Sequence, residues 1–92
     1  MDKYQELKQA RLEKREVNIK RSRAICLFFK KRKDLKKLPI CQKVGYDSSN
    51  LAKCIRNTNR HIAANFLSDF ERVLKVYGFI PYLEEDAEGG KD

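Results

Sequence analysis

Apolar residues recur along this chain at the three-to-four-residue spacing of amphipathic helices, and no sheet is evident. Residues 1–17 read as a charged helix with a thin apolar stripe, Tyr4, Leu7 and Leu12, able to extend the next helix or to fray. From Asn18, a possible N-cap, the pattern sharpens: Ala24, Ile25, Phe28 and Phe29 fall on one face, and Asp34 marks the exit. A short helix is predicted over residues 36–44. Pro39 has no amide hydrogen and is tolerated only near a first turn, so the helix proper is expected to start between Lys36 and Leu38. Its inner face is Ile40, Cys41 and Val44, and Gly45 closes it by taking the left-handed backbone at little cost.

Asp47 is placed to cap a third helix, residues 48–56, with Leu51, Cys54 and Ile55 inward. Residues 57–61 are polar and read as a loop. The last helix, residues 63–77, carries the clearest stripe, Phe66, Leu67, Phe70, Val73, Leu74 and Tyr77, and stops at Gly78. Residues 79–83 are apolar and contain Pro81, which predicts an extended tail or short strand that folds back on the core or pairs with a second copy. The acidic, glycine-containing residues 84–92 are expected to be disordered.

At 92 residues the chain can bury one core. The expected organisation is all-α: a charged N-terminal helical extension (1–17), a four-helix domain (18–83) and an acidic tail (84–92). Ile25, Phe28, Ile40, Cys41, Leu51, Cys54, Phe66, Phe70, Val73 and Leu74 are the expected core.

Charge narrows the partner. The formal net charge is +8, but Glu84, Glu85, Asp86, Glu88 and Asp92 against Lys91 give residues 84–92 a net of −4, which leaves +12 for residues 1–83. A body this basic favours polyanions through counterion release. The longest apolar run, residues 24–29, is far short of a membrane span, and the charged start lacks the pattern of a secretory signal. A cytoplasmic, nucleoid-associated location follows, with no membrane partner.

Cys26, Cys41 and Cys54 are widely spaced, odd in number and set among apolar neighbours, which reads as small buried thiols rather than a disulfide scaffold. Zinc is disfavoured, because structural ligands usually come in closely spaced pairs and these cysteines and His61 do not. His61 stands alone as a histidine, and no phosphate-cradling glycine loop is present, so no cofactor and no enzymatic activity are expected.

The constellation that carries chemistry is Ile40, Cys41, Val44, Gly45, Tyr46, Leu51 and Cys54. A helix-turn-helix needs a first helix seated on the core, a glycine corner, and a capped second helix whose leading face stays free for the major groove. On these residues, segment 36–60 (KKLPICQKVGYDSSNLAKCIRNTNR) resembles the phage-repressor-like helix-turn-helix domains of the Cro and lambda-repressor type. Weaker similarity takes in the preceding helix and residues 66–79. Cys41 stands where that family usually has alanine, and Cys54 where it has a larger aliphatic.

The resemblance implies base reading by Ser48, Ser49, Ala52 and Lys53, and phosphate contacts by Lys37, Asn57, Asn59 and Arg60. It also implies a left-handed residue after the second helix, where the usual glycine is missing and Asn57 and Asn59 are the available substitutes. The amides opening residues 48–56 offer a further phosphate site. The function so implied is double-stranded DNA binding by a small bacterial or phage transcription regulator. Such modules commonly dimerise, here through residues 77–83 or the N-terminal helix. The alternative is a protein-interaction module on the same fold, an accessory protein of a phage or mobile element without sequence-specific DNA binding. The serines and alanine at the reading positions favour that alternative, and the basic residues 30–37 with Arg60 argue against it.

Overall fold

The computed structural model describes residues 3–82, with side chains from Glu13 onward. Four α-helices and no strand lie among the described residues: α1 (Lys3–Lys31), α2 (Lys37–Val44), α3 (Ser48–Arg56) and α4 (Ala64–Lys75). Residues 84–92, expected to be disordered, lie outside the described residues.

One unbroken rod, α1, runs through both the charged opening and the amphipathic segment. Its 29 residues hold no glycine or proline and are rich in Lys, Arg, Glu and Leu, so nothing in them interrupts the hydrogen-bond ladder. Asn18 therefore lies inside the helix rather than capping it. A helix of that length measures on the order of 40 Å; the described molecule is 50 Å in its longest dimension.

Pro39 is the third residue of α2, within the first turn, where an amide hydrogen would lack an intrahelical acceptor in any case. At the other end, Gly45 takes φ +83°, and the amides of Gly45 and Tyr46 both donate to the Cys41 carbonyl, at 2.7 and 3.0 Å. This closure turns the chain so that Tyr46 packs edge-on against Phe66 (4.9 Å) and Phe70 (5.4 Å) of α4. Asp47 then caps α3 by accepting the Ser49 amide at 3.2 Å.

Helices α1 and α2 each pack on both α3 and α4. Ile25, Phe29, Ile40, Cys41, Val44, Leu51, Cys54, Ile62, Leu67, Phe70, Leu74 and Phe79 are buried together. Fully burying a Phe or Leu is worth about 1.5–3 kcal/mol, so Phe70, Leu51, Leu67 and Leu74, all without exposed surface, anchor the fold. Phe28, Phe66 and Val73, expected in the core, are its partly buried flank.

Two polar contacts join distant parts of the chain. The buried Ser22 hydroxyl of α1 accepts the Ile62 amide at 2.8 Å, which fixes the loop before α4. The Arg21 guanidinium forks onto the carboxylate of the buried Glu71 on α4 and reaches Ser68 Oγ at 3.2 Å. Hydrogen bonding to Glu71 is the chief cause that raises the Arg21 pKa above its ordinary value.

The end of α4 repeats the closure at Gly45. Gly78 takes φ +93°; its amide donates to the Lys75 carbonyl and that of Phe79 to the Leu74 carbonyl. Phe79 folds back against Phe28 with ring centroids 5.1 Å apart, and Pro81 is also buried. Of the alternatives expected for this tail, a short strand does not form in its described part, and the fold-back on the core does. Two of its apolar residues are thus spent on the chain's own core. The apolar surface left exposed here for a second copy is Val76, Tyr77 and Ile80; Leu83 lies outside the described residues.

Candidate nucleic-acid interface

Helices α2 and α3 meet at the Gly45 corner, and α3 turns Ser49, Asn50, Lys53 and Arg56 to the surface. Along it the residues singled out from sequence divide. Ser49 and Lys53 are exposed, whereas Ser48 and Ala52 are partly buried and offer less surface. Lys37, the first residue of α2, is exposed, as are Asn57, Asn59 and Arg60 beyond α3.

Lys53, Arg56, Asn57 and Arg60 line one open depression of about 320 Å³ at the C-terminal end of α3. The fold thus brings together a proposed base reader and two proposed phosphate contacts that the chain separates. It adds Arg56, which the family positions did not include. Its signal was present in the sequence: Arg56 follows Lys53 by three residues and so shares its side of a helix. None of the three cations makes an ion pair among the described residues, and no acid lines the depression. Cations are favourable here even without a ligand, because the unpaired carbonyls at a helix C-terminus carry partial negative charge.

Two local readings are corrected. Asn57 has φ −122° and ψ 109°, extended rather than left-handed, and no non-glycine residue among those described has a left-handed φ. The turn is instead held by side-chain mimicry. Asn57 Oδ1 accepts the Asn59 amide at 3.0 Å and the Asn57 carbonyl accepts the Arg60 amide at 3.0 Å, so no positive φ is needed. The amides opening α3 are also a poor phosphate site. Asp47 takes the Ser49 amide, and an incoming phosphate would meet the charge of that carboxylate.

The thiols lie in apolar surroundings. Burial is the main cause that pushes Cys26 up to about 11 and also raises Cys41. Burial likewise pushes the Tyr46 phenol up to about 12. All three cysteines are unpaired, and among the described residues no group of three or more His, Cys, Asp or Glu side chains is placed to hold a metal ion. His61 is exposed and lines a separate open pocket of about 350 Å³ with Lys14, Arg15, Asn18, Ile19, Ile62 and Ala64. No described helix is long and apolar enough to cross a membrane.

No protein-family model matches the chain, and no curated protein or solved structure matches it.

Proposed function

We propose that this chain binds double-stranded DNA through a helix-turn-helix of the lambda-repressor type, with α3 in the major groove and no catalytic role. The supporting observation is the unobstructed outer face of α3, Ser49 and Lys53, ending in the acid-free cluster of Lys53, Arg56 and Arg60. A short helix capped at a glycine corner can enter a groove about 12 Å wide only if that face is bare. The cations beside it supply the sequence-independent part of the affinity by displacing counterions from phosphates. Lys37 at the start of α2 would add a phosphate contact on the far side of the corner.

Lys53 is the residue of this face best suited to read a base, since an ammonium can donate to the acceptors of guanine. Ser49 contributes a less selective hydroxyl, and Ser48 and Ala52 chiefly set how closely α3 approaches. The reading fits a small regulator that is cytoplasmic and acts as a dimer on paired half-sites.

Selection of bound duplexes from a random pool, combined with solution mass, tests this reading. Enrichment of a palindrome together with a dimer mass is expected. No enrichment, salt-insensitive binding and a co-purifying protein would overturn it in favour of the protein-interaction module.

A further inference from the structure

Basic residues crowd the end of α1 and the loop that follows it. Of the six cations between residues 30 and 37, Arg32 is engaged. Its guanidinium pairs with Asp34 at 3.0 Å, donates to the Tyr77 carbonyl at 2.8 Å and lies 5.6 Å from the centre of the Phe28 ring. Those hydrogen bonds from Arg32 hold the Asp34 carboxyl below its ordinary range. Asp34 is the one acid of that stretch, so it neutralises Arg32 and nothing else. Lys30, Lys31, Lys33, Lys36 and Lys37 are all exposed and make no ion pair among the described residues.

The same place is where the described chain ends. Phe79 against Phe28 and the Tyr77 carbonyl on Arg32 clamp residues 77–79 to the last turns of α1, and the buried Pro81 keeps the chain on the body as far as Tyr82. Beyond Tyr82 the sequence continues Leu83, Glu84, Glu85, Asp86, Ala87, Glu88. A chain advances at most about 3.3–3.6 Å per residue, so its first acid lies within roughly 7 Å of Tyr82 along the backbone and Glu88 within roughly 20 Å. Four carboxylates are thus tethered to the last turns of α1, the segment that carries five lysines without an ion pair among the described residues, and that contour suffices to pass around the helix to Lys30, which faces Thr58 and Arg60. Attachment of this kind corresponds to millimolar effective concentrations.

We infer that the acidic segment 84–88 docks on the lysine cluster 30–37 of its own chain and competes there with DNA phosphates. The inference rests on the proposed DNA-binding reading, and Lys37 belongs to both surfaces. The segment acts as an internal polyanion: it screens the basic body until a duplex with more phosphates displaces it. Non-specific binding, which depends wholly on phosphate contacts, is weakened more than binding at a site that also engages base edges.

Two measurements on the full chain test it. The first uses no DNA: zero-length carbodiimide coupling followed by peptide mapping of the monomer. The expected products join Glu84, Glu85, Asp86 or Glu88 to Lys30, Lys31, Lys33, Lys36 or Lys37 and disappear near 0.5 M salt, where the Debye length falls to a few ångströms. The second is a double-variant cycle on affinity for random duplex. Neutralising the tail (Glu84→Gln, Glu85→Gln, Asp86→Asn, Glu88→Gln) raises affinity about fivefold at low salt and steepens the salt dependence. When Lys30, Lys31 and Lys33 are also replaced by Gln, the gain from the neutral tail shrinks below about twofold, since the docking partner is gone.

Couplings confined to a dimer band, couplings to other lysines, or a tail effect unchanged by the lysine substitutions would overturn the inference. Mapped couplings in a chain that binds no duplex would instead sink the DNA-binding reading and leave the docking in place.

Discussion

Charge is used in two opposed ways on the two sides of this molecule. Between α1 and α4, Arg21 and Glu71 face each other with 14% and 11% of their side chains exposed, and each is the other's charged partner. At the end of α3, Lys53, Arg56 and Arg60 stand exposed around a depression that no acid lines among the described residues. A buried ion surrenders most of its hydration, so it needs a partner in the fold, and removing that partner leaves an uncompensated charge. An exposed ion keeps its water and contributes little to stability, so a surplus of one sign on a surface is available to an external anion. The first region should therefore answer to stability measurements and the second to binding measurements.

The largest expected effect falls on the paired side. Glu71→Ala leaves the Arg21 guanidinium with Ser68 alone. Breaking a largely buried pair in this way should cost about 2–4 kcal/mol, discounted for residual exposure, and lower Tm by roughly 10–20 °C. The double variant Arg21→Met/Glu71→Leu should recover much of the loss, because replacing both ions with apolar groups removes the orphaned charge. Calorimetry or thermal circular dichroism decides it. If the single variant melted like the parent, the ion pair would be a bystander and the contrast with α3 would fail.

Next in size is Gly45→Ala. A Cβ there would meet nothing within 4 Å, so any cost comes from φ +83° alone. A left-handed non-glycine residue costs about 1–2 kcal/mol, and that loss should appear in Tm. On the proposed function it should also lower DNA affinity, because the same glycine sets the angle between α2 and α3.

The Gly45 corner was legible in the sequence for this reason. A glycine between two short apolar stripes, with Asp47 two residues on, has few other uses. Helices read from periodicity and closing residues lie close to the observed bounds, and most of the core was readable from spacing. Features that depend on one segment meeting another were not. Ile62 sits beside a polar loop and carries no periodicity, yet Ser22 fastens its amide to α1. Phe79 is a partial exception: its segment was expected to fold back on the core or to pair with a second copy, and the Gly78 closure turns it onto Phe28. Arg21 and Glu71 are 50 residues apart and resemble any two surface charges in the sequence. At the candidate site, the exposed cations could be read from type and spacing, but the gathering of Lys53, Arg56 and Arg60 required the turn after α3. Asn18 misled because a residue type favoured at caps also occurs within helices.

On the unpaired side the effects should be smaller and should leave Tm within about 0.5 kcal/mol-equivalent of the parent. Arg60→Gln and Lys37→Gln should each weaken binding to all duplexes by several-fold and reduce the salt slope by about one. Lys53→Gln should weaken binding similarly and also change preference among sequences, since a side chain at a base edge discriminates where a phosphate contact does not. Arg56→Gln separates two accounts of the depression at the end of α3. A loss matching that of Arg60→Gln makes it a phosphate seat; no change confines DNA to the family positions. Fluorescence anisotropy at several salt concentrations measures all four. Four variants binding random duplex like the parent at low salt would dissolve the distinction between the two regions.

Asn57→Gly should have the smallest effect, and its sign carries the information. In the family that segment 36–60 resembles, the residue after the second helix is commonly a left-handed glycine, and restoring it would ordinarily relieve strain. Here Asn57 already holds an unstrained extended backbone, and its Oδ1 accepts the Asn59 amide. Glycine would forfeit that hydrogen bond and widen the conformational freedom of the unfolded chain, for a loss of about 0.5–1 kcal/mol. A rise in Tm would mean that the loop prefers the left-handed turn, with Arg60 set at a different angle to α3. A fall would show that this chain reaches the same corner by a side-chain turn, which keeps Lys53, Arg56 and Arg60 around one depression without glycine.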